Sequence, residues 1–230
     1  MNKYTYLLLD CDGTLFDFKR AEQKAFSRLL HYLKIEEKEE YFSIYHTIND
    51  KCWKAFEQGE LSKDVLQFKR FDDFRQAIDR DFSTVNAAKQ YKEFLSEGYD
   101  LLPGAEEVCR ILSAKYELYL VTNGVEKTQV NRLNHSGLLP YIKRMFVSEA
   151  VGIPKPDIGY FNYVFSQIPS FEKGRALIVG DSLTSDIQGG INAGIDTCWL
   201  HSDGQNCPDN MNITYTITDI RQLVSLLESL

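Results

Sequence analysis

The interval between the first two β-rich runs constrains the fold of this chain more than any other feature. The first run, YTYLLLD, covers residues 4–10 and the second, YELYLVTN, covers 116–123, so residues 11–115 intervene. A crossover between neighbouring parallel strands needs only about a dozen residues or more, usually one helix. Something is therefore inserted. The later runs, MFVSE (145–149), ALIVGD (176–181) and TCWLH (197–201), follow at the spacing of single helices. That alternation predicts an α/β core: a doubly wound, Rossmann-like parallel sheet with helices on both faces.

The insertion reads as helix throughout residues 19–95. RAEQKAFSRLLHYLK places Ala21, Ala25, Phe26, Leu29, Leu30 and Leu33 on one stripe. SKDVLQFKRFDDFRQAI opens at a candidate N-cap, Ser62, and STVNAAKQYKEFLSEG runs from a second, Ser83, to a terminal Gly98. Four or so helices are expected to form a bundle that packs over the sheet. Its aromatic residues (Tyr41, Phe42, Tyr45, Trp53, Phe56, Phe68, Phe71 and Phe74) are expected to be mostly core. LLPGAEEVCRILSAK then returns the chain to the sheet, with Pro103 and Gly104 opening a helix.

With 230 residues, 43% of them hydrophobic, the chain can fill a sizeable core. A net charge of -7 argues against a nucleic-acid backbone as the main partner, so any positive charge for binding phosphate must be local. Cys11, Cys52, Cys109, Cys198 and Cys207 are scattered without a CxxC pair and are expected to be reduced thiols. His31, His46, His135 and His201 show no metal-ligand spacing and are expected at or near the surface. The hydrophobic run near the start is too short for a signal or membrane segment, so the expected setting is the cytoplasm, with no membrane partner.

Four segments, each expected at a strand end, carry residues suited to phosphate or a hard cation: Asp10 with Asp12, Thr122 with Asn123, the Lys155-Pro156-Asp157 stretch, and Asp181 with Ser182 and Asp186. Singly, each is a common turn or helix cap. Together they converge, because an open parallel sheet binds its ligands at the carboxyl ends of its strands. Asp10, Asp12 and Asp181 crowded there would repel one another without a cation, and oxygen ligands of this kind suit Mg²⁺. Lys155, Thr122 and the backbone amides around Cys11 and Asp12, which Gly13 allows to turn sharply, suit the oxygens of a phosphate. The glycines of QGGINAG (Gly189, Gly190, Gly194) lack a P-loop lysine and are expected to permit close helix packing.

LLLDCDGTLFD, YLVTNG, GIPKPD and IVGDSLTSDI resemble the four ordered motifs of the haloacid dehalogenase (HAD) superfamily, and the helical insertion is similar to its C1-type cap. The resemblance implies a core domain of residues 1–17 and 98–230 and a cap of residues 18–97. It implies Asp10 as a nucleophile that forms an aspartyl-phosphate and Asp12 as the acid and base. Mg²⁺ would be held by Asp10, the backbone carbonyl of Asp12, and Asp181. Thr122, Asn123 and Lys155 would bind the phosphate, with Asp186, Gly13 and Ser182 in support.

Dehalogenases of this superfamily lack a carboxylic acid two residues after the nucleophile, so Asp12 favours phosphatase chemistry. Longer stretches, NDKCWKAFEQGELS and SEAVGIPKPDIGYFNYVF among them, resemble the bacterial pyrimidine 5′-nucleotidase branch, implying a nucleoside monophosphate as the small phosphorylated partner. The alternatives are a phosphatase or phosphomutase for another small metabolite, such as phosphoglycolate or a sugar phosphate. A phospho-receiver module would gather similar residues, but this chain is far longer than one receiver.

Overall fold

A computed structural model describes residues 2–201, 208 and 210–230. Two compact units are present: Phe18–Gly98, and Met1–Asp17 together with Tyr99–Leu230.

The Phe18–Gly98 unit holds helices α1 (Phe18–Tyr32), α2 (Glu39–Glu57), α3 (Lys63–Ala77) and α4 (Thr84–Ser96). The predicted stripe of α1 is buried at Ala21, Ala25, Phe26, Leu29 and Leu30, while Leu33 is partly buried. Both serine caps form: Ser62 accepts from the Val65 amide and Ser83 from the Asn86 amide. Gly98 plays a different part from the one expected. It lacks the positive φ of a terminal cap, and a Cβ there would stand 2.5 Å from that of Ala21, so close packing is what requires glycine. Tyr41, Tyr45, Phe56, Phe71 and Phe74 are buried, Phe42 and Trp53 are half-buried, and Phe68 is exposed. Rings of Phe26 and Tyr45 stack at 4.5 Å in the centre of this core.

The second unit contains strands β1 (Tyr6–Leu9), β2 (Glu117–Thr122), β3 (Ile142–Val147), β4 (Ala176–Gly180), β5 (Asp196–Leu200) and β6 (Tyr215–Ile217). They form one sheet in the order β3-β2-β1-β4-β5-β6, and every pairing is parallel. In the central strand, Leu9 lies in register with Leu120 on one side and Val179 on the other. The sequence runs indicate five of these strands; β6 escapes because three residues carry too little periodicity to separate from loop.

The helices of this unit are α5 (Ala105–Leu112), α6 (Glu126–His135), α7 (Ser148–Val151), α8 (Ile158–Ser166), α9 (Gln188–Ala193) and α10 (Gln222–Glu228). Alternate strand residues face opposite cores, as the pleat requires. Leu7, Leu9, Leu118, Leu120, Leu177 and Val179 pack with Val108 and Leu112 of α5 and Leu223 of α10. Leu8, Tyr119, Val121 and Ile178 pack with Tyr160, Phe161 and Val164 of α8. Leu8 is fully buried, and truncating such a side chain to alanine costs about 2–5 kcal/mol. Gly189 sits against the Phe161 ring and Gly190 against Ile178 and Thr197, the close packing expected of them, whereas Gly194 has open space beside it and instead ends α9 at φ +70°. The described cysteines, Cys11, Cys52, Cys109 and Cys198, are free and buried; Cys207 lies outside the described residues. Among the described residues no helix is long and apolar enough to cross a membrane.

Candidate active site

The strand order turns about β1, so the carboxyl ends of β1, β2 and β4 meet where an open α/β sheet forms its crevice. Asp10 follows β1 directly and stays tied to the sheet, its amide donating to the Val179 carbonyl at 2.9 Å. The chain then departs. Gly13 adopts φ +83°, its amide donates to the Phe16 carbonyl at 3.0 Å, and the Phe16 amide donates to the Cys11 carbonyl at 2.8 Å. A Cβ at Gly13 would lie 2.3 Å from Oδ2 of Asp181, so both its φ and its contact require glycine.

Asp10, Asp181 and Asp186 each offer a carboxylate oxygen within 4.8 Å of the others. Lys155, only 1% exposed, donates from Nζ to Asp10 Oδ1 at 2.7 Å, to Asp186 Oδ1 at 2.6 Å and to the Val121 carbonyl at 2.8 Å. Those three acceptors match the three protons of an ammonium. Asp186 also accepts from the Ser182 amide at 3.1 Å through its second oxygen. It reaches that position because Gly180 carries no side chain: a Cβ there would fall 2.2 Å from the Asp186 carboxyl carbon.

Three carboxylates therefore face one ammonium. Burial and the Asp186 charge push the Asp10 carboxyl well above the usual range, against the pull of Lys155. Asp181 keeps an exposed surface, yet crowding by the surrounding atoms and the Asp186 charge raise it to about 8. Burial works against the charge of Lys155, but Asp10 and Asp186 overcome it and hold the ammonium well above its ordinary value. The cluster carries an excess of negative charge and a set of hard oxygen donors, which fits a small divalent cation.

Asp12 belongs to a separate constellation. Its Oδ2 accepts from Gln129 Nε2 at 2.7 Å, and its Oδ1 pairs with the Arg132 guanidinium, whose side chain is 1% exposed. Gln129 Nε2 also donates to Thr122 Oγ1 at 2.9 Å, and the Gly124 amide donates to the same oxygen at 3.0 Å. With both acceptor positions of Thr122 filled, its own O–H is left to donate. The Asn123 amide spans the Lys155 backbone, donating to its carbonyl and accepting from its N–H, both at 2.9 Å. This clamp holds the Lys155 loop to the end of β2, so the side chain of Asn123 serves the lysine.

Two expected strand-end residues stand elsewhere. Lys155 comes not from the end of β3 but from the loop after α7, ahead of a cis Lys155–Pro156 bond. Asp157 is exposed and caps α8, accepting from the Gly159 amide at 2.7 Å. Ser182 caps the following turn by accepting from the Ser185 amide at 3.1 Å. Sequence reasoning missed Gln129, Arg132 and Trp199, whose indole N–H donates to the Asp181 carbonyl at 2.9 Å. One signal was available: Gln129 and Arg132 stand four and one residues before the buried Leu133 on α6, polar groups near an inward-facing stripe.

A family model described as haloacid dehalogenase-like hydrolase matches residues 7–200. A magnesium-bound crystal structure of the HAD-hydrolase YfnB from Bacillus subtilis superposes with a TM-score of 0.94 at 40% identity, covering 98% of this chain and 99% of that one. Pyrimidine 5′-nucleotidase PynA of Streptococcus pneumoniae is 36% identical over 98% of this chain and 95% of its own. Pyrimidine 5′-nucleotidase YjjG of Escherichia coli is 30% identical over 98% of each.

Proposed function

This chain belongs to the haloacid dehalogenase-like hydrolase family, and on that premise we propose that it is a Mg²⁺-dependent phosphomonoesterase acting on nucleoside monophosphates, pyrimidine nucleotides first. The observation that carries the chemistry is the separation of the two carboxylates of the first motif. Asp10 lies in the acidic cluster beside Lys155, whereas Asp12 is held apart by Gln129 and Arg132. A nucleophile and a proton carrier need that division. The pyrimidine preference is supported by the two nucleotidases this chain resembles at 36% and 30% identity.

Asp10 and Asp181, with the backbone carbonyl of Asp12, would hold Mg²⁺. When bound, the ion supplies positive charge that offsets the carboxylates and the phosphoryl oxygens. Asp186 has both oxygens engaged, by Lys155 and the Ser182 amide, and so supports the site. A carboxylate oxygen of Asp10 attacks phosphorus in line. The ester P–O bond breaks, its electron pair goes to the departing oxygen, and the proton of Asp12 neutralises that oxygen. Asp12 then takes a proton from water, whose oxygen attacks the aspartyl-phosphate and releases phosphate with the Asp10 carboxylate restored. The Thr122 hydroxyl and the amides of Cys11 and Asp12 at the Gly13 turn donate to the phosphoryl oxygens, and Lys155, its protons held by Asp10, Asp186 and the Val121 carbonyl, binds them through its positive charge. The helical unit is assigned as the cap that selects the leaving group, within core and cap domains of residues 1–17 with 98–230 and 18–97.

Phosphate release from UMP, dUMP and dTMP, measured beside phosphoglycolate and a sugar phosphate, tests the substrate. The nucleotides are expected to be hydrolysed fastest, and only with Mg²⁺ present. Slow nucleotides beside rapid phosphoglycolate would overturn the nucleotidase proposal.

A further inference from the structure

We infer that Arg132 and Gln129 form a cradle that fixes the position of the Asp12 carboxylate, an assignment that rests on the proton-transfer role proposed for Asp12 above. Asp12 stands beyond the end of β1, beside a glycine at φ +83°, on a turn that the sheet no longer holds. Its side chain is 27% exposed. Nothing in the strand sets its rotamer, yet a proton donor must sit within hydrogen-bond reach of the departing oxygen.

The cradle closes on itself. Arg132 donates to Asp12 Oδ1 and, at 2.9 Å, to Gln129 Oε1. Gln129 Nε2 donates to Asp12 Oδ2 at 2.7 Å and to Thr122 Oγ1 at 2.9 Å. A guanidinium only donates, so the Gln129 carbonyl must face Arg132 and its NH₂ must face the carboxylate. The amide has one workable orientation, and Asp12 is gripped at both oxygens. Arg132 is fixed in turn by the Phe16 ring, with its guanidinium carbon 4.4 Å from the ring centre. Phe16 is tied to Cys11 and Gly13, in the same turn that carries Asp12. The cradle thus links the first motif, the end of β2 and helix α6 into one unit. Arg132 and Gln129 are positioning residues that act through Asp12.

Leaving-group dependence separates this role from a merely structural one. A nucleoside 5′-alkoxide is strongly basic and needs its proton, whereas p-nitrophenolate departs with little help. The readout is the ratio of kcat/KM for UMP to kcat/KM for p-nitrophenyl phosphate. It is measured for Arg132→Met, Gln129→Met, Arg132→Lys and Asp12→Asn in Mg²⁺. Any unfolded fraction scales both esters equally and cancels. We expect Arg132→Met and Gln129→Met to lower the ratio about 10- to 100-fold, as a misplacement of about 1 Å does. Arg132→Lys should recover part of it, and Arg132→Met added to Asp12→Asn should lower the ratio no further. Equal losses on both esters, or independent multiplicative losses in the double variant, would overturn the cradle while Asp12→Asn still lowers the ratio. An unchanged ratio in Asp12→Asn would sink the proton-transfer role and the cradle with it.

Discussion

Asp10 and Asp12 stand two residues apart and answer to different cations: Lys155 donates to Asp10 at 2.7 Å, and Arg132 pairs with Asp12. A continuing strand would point both side chains the same way. The β1 ladder ends at Leu9 and the chain turns at Gly13, which lets one carboxylate join the acidic cluster and the other leave it.

Lys155 should be the most costly of the site residues to remove. Lys155→Met leaves Asp10 and Asp186 buried without their shared counter-charge, and breaking a buried pair costs about 3–5 kcal/mol. Urea denaturation should show that loss in the metal-free protein. A variant as stable as the parent would contradict Lys155 as the group that holds Asp10 and Asp186 together.

Cation binding and pH should be linked. Asp181 is raised to about 8 and Asp10 stands well above the usual range, so the folded, metal-free site binds more protons than the unfolded chain between the ordinary aspartate value and those raised ones. Stability of the metal-free protein should therefore fall as pH rises through that window. A divalent ion requires the deprotonated ligands. Titration calorimetry with Mg²⁺ should show tighter binding at pH 8.5 than at pH 6.5, with protons released. EDTA should abolish both the binding heat and the turnover, and excess Mg²⁺ should restore them. Affinity that is flat across this range would contradict the acidic cluster as the binding site.

How far the sequence reaches is clearest at these residues. Asp10, Thr122, Lys155 and Asp181 announce themselves because they end apolar runs or stand beside glycine and proline, and the parallel sheet follows from the same runs. Gln129 and Arg132 do not. They lie inside an ordinary amphipathic helix, and their meaning depends on Phe16 and Asp12, more than a hundred residues away in the chain. Asn123 was legible as a site residue, yet its grip on the Lys155 backbone depends on a loop path that no local pattern encodes.

The helical unit carries a titration of its own. Glu22 is fully buried as a side chain, accepts from Asn49 Nδ2 at 2.7 Å and lies 2.6 Å from His46 Nδ1, while Asn49 accepts from Arg70 at 3.0 Å. Burial raises the Glu22 carboxyl above the usual glutamate range, with His46 and Asn49 pulling the other way. Its contribution to stability is greatest below the ordinary glutamate value and falls as pH rises through the raised one. The difference in Tm between the parent and Glu22→Gln should shift against the parent as pH rises from 4 to 8. A constant difference would show that Glu22 titrates alike in the folded and unfolded chain.

Peptide mass spectrometry after acid quench of the Asp12→Asn variant mixed with p-nitrophenyl phosphate and Mg²⁺ tests Asp10 as the nucleophile most directly, because p-nitrophenolate departs without a proton donor and phosphorylation still proceeds. Losing the base that activates water slows dephosphorylation, so the phosphoryl-enzyme should accumulate. Phosphoryl mass is expected on the peptide that carries Asp10, and none on the corresponding peptide of Asp10→Asn, which should fold yet turn over at least ~10³-fold more slowly. Phosphoryl mass on another residue, or undiminished Mg²⁺-dependent turnover by Asp10→Asn, would contradict that role.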